Sequence, residues 1–258
     1  MLADSVVRDN IAEGQGGGLS ISADYSYITN SAIIGNQSKT HVGGGIFLFG
    51  SHHTITNSTV SQNNAALDGG GISLKGTDLY LTHVTISDNT SDSDNNGSGD
   101  GGGLFSENKL TLINTIIAGN DDRGGEKPDL AGTSALASRD YNLVGNIGTQ
   151  SFTAQNYDIV GSSSSPVDPE LGNLTGDMPT HLPSLDSPVI DYIPAASCTY
   201  VTHLENPYFS TGDLVTHDQR GRDRLADSDM DGSAACEIGA IEVNEPPTSL
   251  YLPLVLMK

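Results

Sequence analysis

The sequence predicts an all-β chain wound as a parallel β-helix, and three observations predict it. Val, Ile, Leu and Thr fall at alternate positions in short runs, and no stretch shows the period of about 3.6 residues of an amphipathic helix. Glycine triplets begin at Gly16, Gly43, Gly69 and Gly101, spaced 27, 26 and 32 residues apart. Asparagine recurs in step with them at Asn10, Asn36, Asn63, Asn89 and Asn120.

Each triplet is followed by a short alternation, "LSIS", "IFLF", "ISLK" and "LFSE". A second segment comes next: "YITNSAIIGN", "TITNSTVSQN", "YLTHVTISDN" and "TLINTIIAGN". The opening "LADSVVRDN" matches that second segment, so five copies align. Leu2, Ile28, Ile55, Leu81 and Leu112 then share one column; Val7, Ile33, Val60, Ile86 and Ile117 share another; Leu19, Ile46, Ile72 and Leu104 share a third. A β-sandwich would give strands every 8 to 12 residues or so but not identical columns. A solenoid in which each repeat is one coil gives both, with the apolar columns inside.

In a parallel β-helix each coil rises about 4.8 Å, so like side chains stack. The five asparagines are expected to form such a ladder, each amide bonding backbone and the next amide. The triplets suit a corner where the backbone takes positive φ or closely approaches the next coil. Between Asn and triplet the coils have five or six residues, but eleven separate Asn89 from Gly101. The segment "DSDNNGSGD" is therefore a surface insertion at a corner, not a domain linker. The chain starts at Leu2 halfway through a coil, which leaves an edge of unpaired strands. On that reading it is the C-terminal part of a longer protein, whose N-terminal remainder would carry a cap and an export signal.

From Tyr141 the period fades. "GSSSSPVDPELGNLTG" and Pro-punctuated segments follow, so the expected boundaries are coils over 1–145, a C-terminal capping region over 146–243, and a Pro-containing spacer with an apolar tail over 244–258. That tail is too short to span a bilayer, and no transmembrane segment is expected. Asp218, Arg220, Arg222, Asp223 and Arg224 alternate in charge and suit ion pairs tying this region to the last coil. Cys198 and Cys236 both lie here; one bridge in an oxidising compartment and two separate buried thiols both fit. With 32 acidic residues against 11 basic, a formal charge of −21 repels nucleic acid, which is excluded as a partner.

The pattern of "GGG", a hydrophobic run and "TNSxxxxN" resembles the right-handed, single-stranded parallel β-helix repeats of bacterial surface proteins, including the polymorphic outer-membrane-protein type, over residues 1 to about 145. This implies a pectin-lyase-like solenoid. The succession "DPELG", "THLPSLDSPVID", "DQRGRDR" and "CEIGAIE" resembles the choice-of-anchor Q domain over about residues 166 to 243. That resemblance implies an irregular β cap, a Cys198–Cys236 bridge and an exported, extracellular or cell-surface protein.

Two segments have the carboxylate spacing of calcium loops, with oxygens at positions 1, 3 and 5 and a glycine at the turn. One is Asp227, Asp229 and Asp231 before Gly232, with the Ser233 carbonyl at position 7 and Glu237 one residue short of position 12. The other is Asp92, Asp94 and Asn96 before Gly97, with Asp100 at position 9. Ca2+ is the one cofactor expected. Outward positions after the triplets include Phe47, Phe49 and Phe105, a possible binding face unless a loop covers it. His52 and His53 adjoin in a turn with no third ligand evident. No catalytic residue is assigned, because no carboxylate cluster recurs on neighbouring coils. The expected function is a noncatalytic exported β-helix protein for adhesion, or for glycan or protein binding, stabilised by calcium; the alternative is a β-helical polysaccharide lyase or glycoside hydrolase.

Overall fold

The computed structural model describes residues 1–133, 136–203 and 206–243, and it is nearly all β, with a single 3-10 turn at Ala195–Ser197 among those residues. The tail expected over 244–258 lies outside the described residues. Three parallel sheets run the length of a solenoid of about five turns. The broadest contains Tyr27–Thr29, His53–Ser61, Asp78–Ser87, Lys109–Ile113 and Leu143–Val144. A second follows the asparagines, with Gln37–Ser38, Asn64–Ala65 and Thr90–Ser91; a third follows the triplets, with Leu19–Ser22, Ile46–Phe49, Ile72–Leu74 and Leu104–Ser106.

The apolar columns are the interior. Leu2 pairs with Ile28, Ile28 with Ile55, Ile55 with Leu81 and Leu81 with Leu112. The other two columns hold likewise, and each gains a member, Val144 and Leu130. These residues form one continuous buried cluster, with Leu2, Val7 and Leu19 of the first coil partly buried against it. Its far end is met by Ile147 and Phe152, while Ile159–Val160 adds another rung to the broad sheet.

The asparagine ladder is present and directional. Asn36 accepts from the backbone N–H and the amide of Asn10 on one side, at 3.1 and 2.9 Å. It donates its own pair to Asn63 Oδ1 at 2.9 and 3.0 Å. Asn63, Asn89 and Asn120 repeat the pattern, and each amide also reaches back to a strand carbonyl: Ile33, Val60 and Ile86 respectively. The residue before each asparagine, Asp9, Gly35, Gln62, Asp88 and Gly119, is the one with positive φ.

The ladder ends on Asp129. Its Oδ1 accepts both Asn120 N–H groups at 2.9 and 2.8 Å, and its Oδ2 accepts from Asn146 N at 2.6 Å. By register Asp129 occupies the place of the third glycine, since Leu104 pairs with Leu130. In earlier coils that place must be glycine: a Cβ on Gly103 would lie 2.7 Å from Asn120 Nδ2. In the fifth coil "KPD" replaces "GGG", and a carboxylate fills the space instead of an asparagine below. The first glycine of each triplet has φ near 70°, from 69 at Gly43 to 72 at Gly16, as the corner reading requires.

A second corner, inside the broad sheet, has positive φ at Asp4, Asn30, Asn57, His83 and Asn114. Hydroxyls follow it and form their own ladder, with Ser31 Oγ accepting from Ser5 N at 3.2 Å and Ser58 Oγ from Ser31 N at 3.1 Å.

Residues beyond the coils form an antiparallel hairpin, Leu171–Thr175 with Thr180–Pro183, and then a strap along the outer face of the broad sheet. Thr82 Oγ1 accepts from Val201 N and donates to Val201 O; Thr59 donates to Gln219 at 2.6 Å; Ala240 N donates to Thr85; Ser61 meets His181 at 2.8 Å. The expected ties to the last coil are therefore corrected. Arg224 is buried and reaches Asn57 at 3.1 Å in the middle of the stack, while Arg220 folds back on Asp218 at 2.7 and 2.9 Å. The outward threonines explain this: a face of Tyr27, Thr54, Thr59, Thr82, Thr85 and Ile116 offers hydroxyls and apolar surface for a backbone to cover.

Cys198 and Cys236 are disulfide-bonded, their Cα atoms 6.2 Å apart. The bond lies in a second core with Ile116, Leu143, Val189, Ile193, Val215 and Ile238. Tying residues 38 apart restricts the unfolded chain by about 4 kcal/mol in the chain-entropy account.

Two outcomes are expected from the ladder. Asn63→Ala leaves the buried Asn36 N–H groups without an acceptor and should cost about 3 kcal/mol or more in urea unfolding; an effect within about 0.5 kcal/mol would show that the ladder contributes nothing. Burial pushes the Asp129 carboxyl up to about 6, against the opposing hydrogen bonds from Asn120 and Asn146. The folded state then holds a proton that the unfolded chain, at its usual 3.8, has released. This stability is complete below the unfolded value and is lost as pH rises through about 6, a difference of about 3 kcal/mol between about pH 4 and pH 7. Asp129→Asn should remove that component, so the stability of wild type relative to the variant in urea unfolding should fall by about 3 kcal/mol from about pH 4 to about pH 7; a difference that does not change with pH, or that grows, would overturn it.

Candidate functional site

The two acidic loops fold differently from what their spacing predicts. Asp92 is wholly buried at the start of the insertion, where its oxygens accept from Asn96 N at 2.9 Å and Gly97 N at 3.0 Å. Burial works against its charge, but backbone bonds from Gly97, Asn96 and Ser98 outweigh it and hold the carboxyl below its ordinary range. Asp94 accepts from the Asn96 amide at 2.8 Å, and Asp100 pairs with Lys127 at 2.7 Å. The four side chains do not converge. Asp92 instead shapes the insertion's backbone, a turn role that Asp shares with Asn.

In the second loop Asp227 and Asp229 do converge, but with Asp191; one oxygen of each lies within 4.8 Å of the others. Asp231 is turned to Ser233, accepting its N–H at 2.8 Å. Glu237 does not join them. It is buried inside the strap, where it accepts from the Ser228 hydroxyl at 2.6 Å. Burial, and then the adjacent Glu242 carboxyl, hold its pKa far above the carboxylate range, so it is neutral at neutral pH. Asp191 is also raised by burial, which prevails over bonds from Asp229 and Ser228. One of its oxygens is buried with no partner. Asp191 lies 36 residues before Asp227, and no local motif marks it.

The phenylalanine face is smaller than expected. Phe49 is 56% exposed, but Phe47 and Phe105 are buried at 4% and 8%, outside the interior cluster. Ser73 stands between them in register and is itself wholly buried.

Six other rings gather where the strap crosses the first coils. His203 lies at the centre, 5.3 Å from Tyr25, 5.7 Å from Tyr27, 5.3 Å from His52 and 6.4 Å from Tyr80. Tyr25 also meets His52 at 4.9 Å, and Tyr208 meets Tyr27 edge-on at 5.0 Å. The Tyr27 hydroxyl and His203 Nε2 are 2.9 Å apart. Asp78 fixes His52 through its backbone N–H at 2.8 Å and its ring nitrogen at 3.0 Å. Burial disfavours the Asp78 charge, but bonds from Thr77 and His52 outweigh that and lower its pKa. Lys109 completes the rim, 5.3 Å from the Tyr80 ring centre and 3.3 Å from its hydroxyl. His53 faces the other way, onto Ser26 at 2.6 Å, and burial keeps it neutral.

Sequence reasoning missed this cluster because His203 and Tyr27 are 176 residues apart. One signal was available: Tyr27, Thr54 and Tyr80 occupy a single outward column.

A pocket of about 370 Å³ opens at the ladder's end, lined by Asn120, Asp129, Gly145, Asn146, Pro166 and Asp168 among others. Among the described residues no helix is long and apolar enough to cross a membrane. No family model, curated protein or solved structure matches this chain.

Proposed function

We propose that this is a noncatalytic exported or cell-surface protein whose solenoid is a rigid scaffold for binding a glycan or a surface protein. The observation that carries the reading is the ring cluster. Tyr25 and Tyr208 are 43% and 54% exposed, and they rest on Tyr27 and His203, which are nearly buried. Exposed rings held by buried ones form a preorganised surface that loses little freedom on binding. The disulfide supports an oxidising compartment. The motifs quoted above support kinship with polymorphic outer-membrane-type repeats, with the choice-of-anchor Q domain over residues 166–243.

The pocket at Asp129 favours a second reading, a glycoside hydrolase, because a carboxyl near 6 suits a general acid. Against it, both Asp129 oxygens are engaged by the ladder and by Asn146. Incubation with neutral and acidic polysaccharides should release neither reducing ends nor unsaturated products; turnover would overturn the noncatalytic reading.

Calcium belongs to the same reading at Asp191, Asp227 and Asp229, where the D-x-D-x-D-G spacing and the unpartnered Asp191 oxygen coincide. A cation present at about a hundred times its Kd would add about 2.7 kcal/mol, so EDTA should lower the melting temperature by roughly 5 °C. Asp229→Ala should abolish that response. A melting curve unchanged by EDTA would remove calcium from the account.

A further inference from the structure

We infer that the ring cluster is a stacking platform for the pyranose units of a neutral glycan, with Tyr25 and Tyr208 taking the sugar faces; this rests on the binding-protein reading above. A pyranose presents a C–H face and a rim of hydroxyls, so its site needs π-faces flanked by fixed hydrogen-bonding groups. The cluster supplies both. Its polar rim is the Lys109 ammonium beside the Tyr80 hydroxyl, and the buried Asp78 holds the His52 ring in place.

Of the large exposed hydrophobics among the described residues, Tyr25 and Tyr208 are the two that belong to the cluster. Charge narrows the ligand further. Asp78 and Lys109 balance locally, and a chain with net charge −21 repels an acidic polymer at long range. The rings are also stiffly held, since Tyr27 and Tyr80 stand on strands paired through Thr54.

Native gels cast separately with xylan, galactomannan, mixed-linkage β-glucan or polygalacturonate test this, using the disulfide-intact protein. Wild type should be retarded in at least one neutral gel. Tyr25→Ala and Tyr208→Ala should each weaken that retardation about five- to tenfold, while both variants keep a cooperative melting transition, since the two rings are 43% and 54% exposed. Tyr157→Ala, at the separate Tyr141–Tyr157 stack, should run as wild type. Equal retardation of wild type and both cluster variants would overturn the site, and so would retardation in no neutral gel. Retardation by polygalacturonate alone would overturn the neutral assignment. Release of reducing ends would instead overturn the noncatalytic reading, leaving the variants' loss of retardation as an independent result.

Discussion

The structure depends on one constraint: an asparagine in each coil must meet the asparagine of the next. Each rung uses a backbone N–H and an amide N–H on one side and a single carbonyl oxygen on the other. Such a chain of amides has polarity, so it cannot simply stop. At the end where Asn120 donates, something must accept two hydrogen bonds, and a carboxylate does so more strongly than a neutral oxygen. Asp129 is that acceptor, and it fits because the coil that provides it has no asparagine pressing on the same space. The glycine triplet and its "KPD" replacement are thus two solutions to one packing problem. Where an amide sits behind the corner the side chain must vanish; where none does, a carboxylate can stand.

The same stacking leaves the outer face of the broad sheet with columns of small hydroxyl side chains. In a sheet exposed to water such a face would be solvated on its own. Here the strap lies over it, and threonine hydroxyls donate to and accept from a backbone that has few regular strand partners. Thr82 does both for Val201. The sheet's hydroxyls thereby serve as partners for the buried backbone of an irregular segment. Beneath it, His83 of the broad sheet is kept neutral by burial and by the strap's Arg224, with Nδ1 facing the Gly239 carbonyl and Nε2 facing the Asn114 amide. The disulfide closes the strap on itself across the second core instead of tying it to the coils, so the attachment to the solenoid is made by hydroxyls and apolar contact.

Most of the coil architecture was legible because it is repeated. The three apolar columns, the ladder and the corner glycines each appear several times, and the repetition fixes their register. The fifth coil lay within the expected coil range, but its place in the columns was not legible, because "KPD" hides the corner and Leu130 and Val144 then lose their landmark. The hydroxyl corner was visible in "TNS" but has no single residue type, since Ser31, Ser58 and Thr115 share it with Val84. The site was legible only in part. Motif spacing found Asp227 and Asp229 but could not find Asp191, and it included Glu237, whose burial beside Glu242 depends on the path of the strap. Alternation placed Phe47 and Phe105 outside the interior cluster, but it could not show that both rings would be buried.

Residues that repeat are therefore fixed by the coil above and below, and residues free of that demand are where specific chemistry can sit. The insertion after Asn89 shows the freedom: the chain leaves the stack, turns on Asp92 and returns to Gly101 in register, with Asp94 to Ser98 exposed. The ring cluster uses the opposite resource. Tyr27 and Tyr80 borrow the spacing of the strands, so rings two coils apart are held at a distance set by backbone hydrogen bonding, about 9 to 10 Å. Between them Thr54 is small enough to admit His203 from the strap, which fills the gap and supports Tyr25 above it. A tyrosine or phenylalanine at position 54 would close that gap and displace the strap. The threonine in the column is as necessary to the surface as the rings on either side.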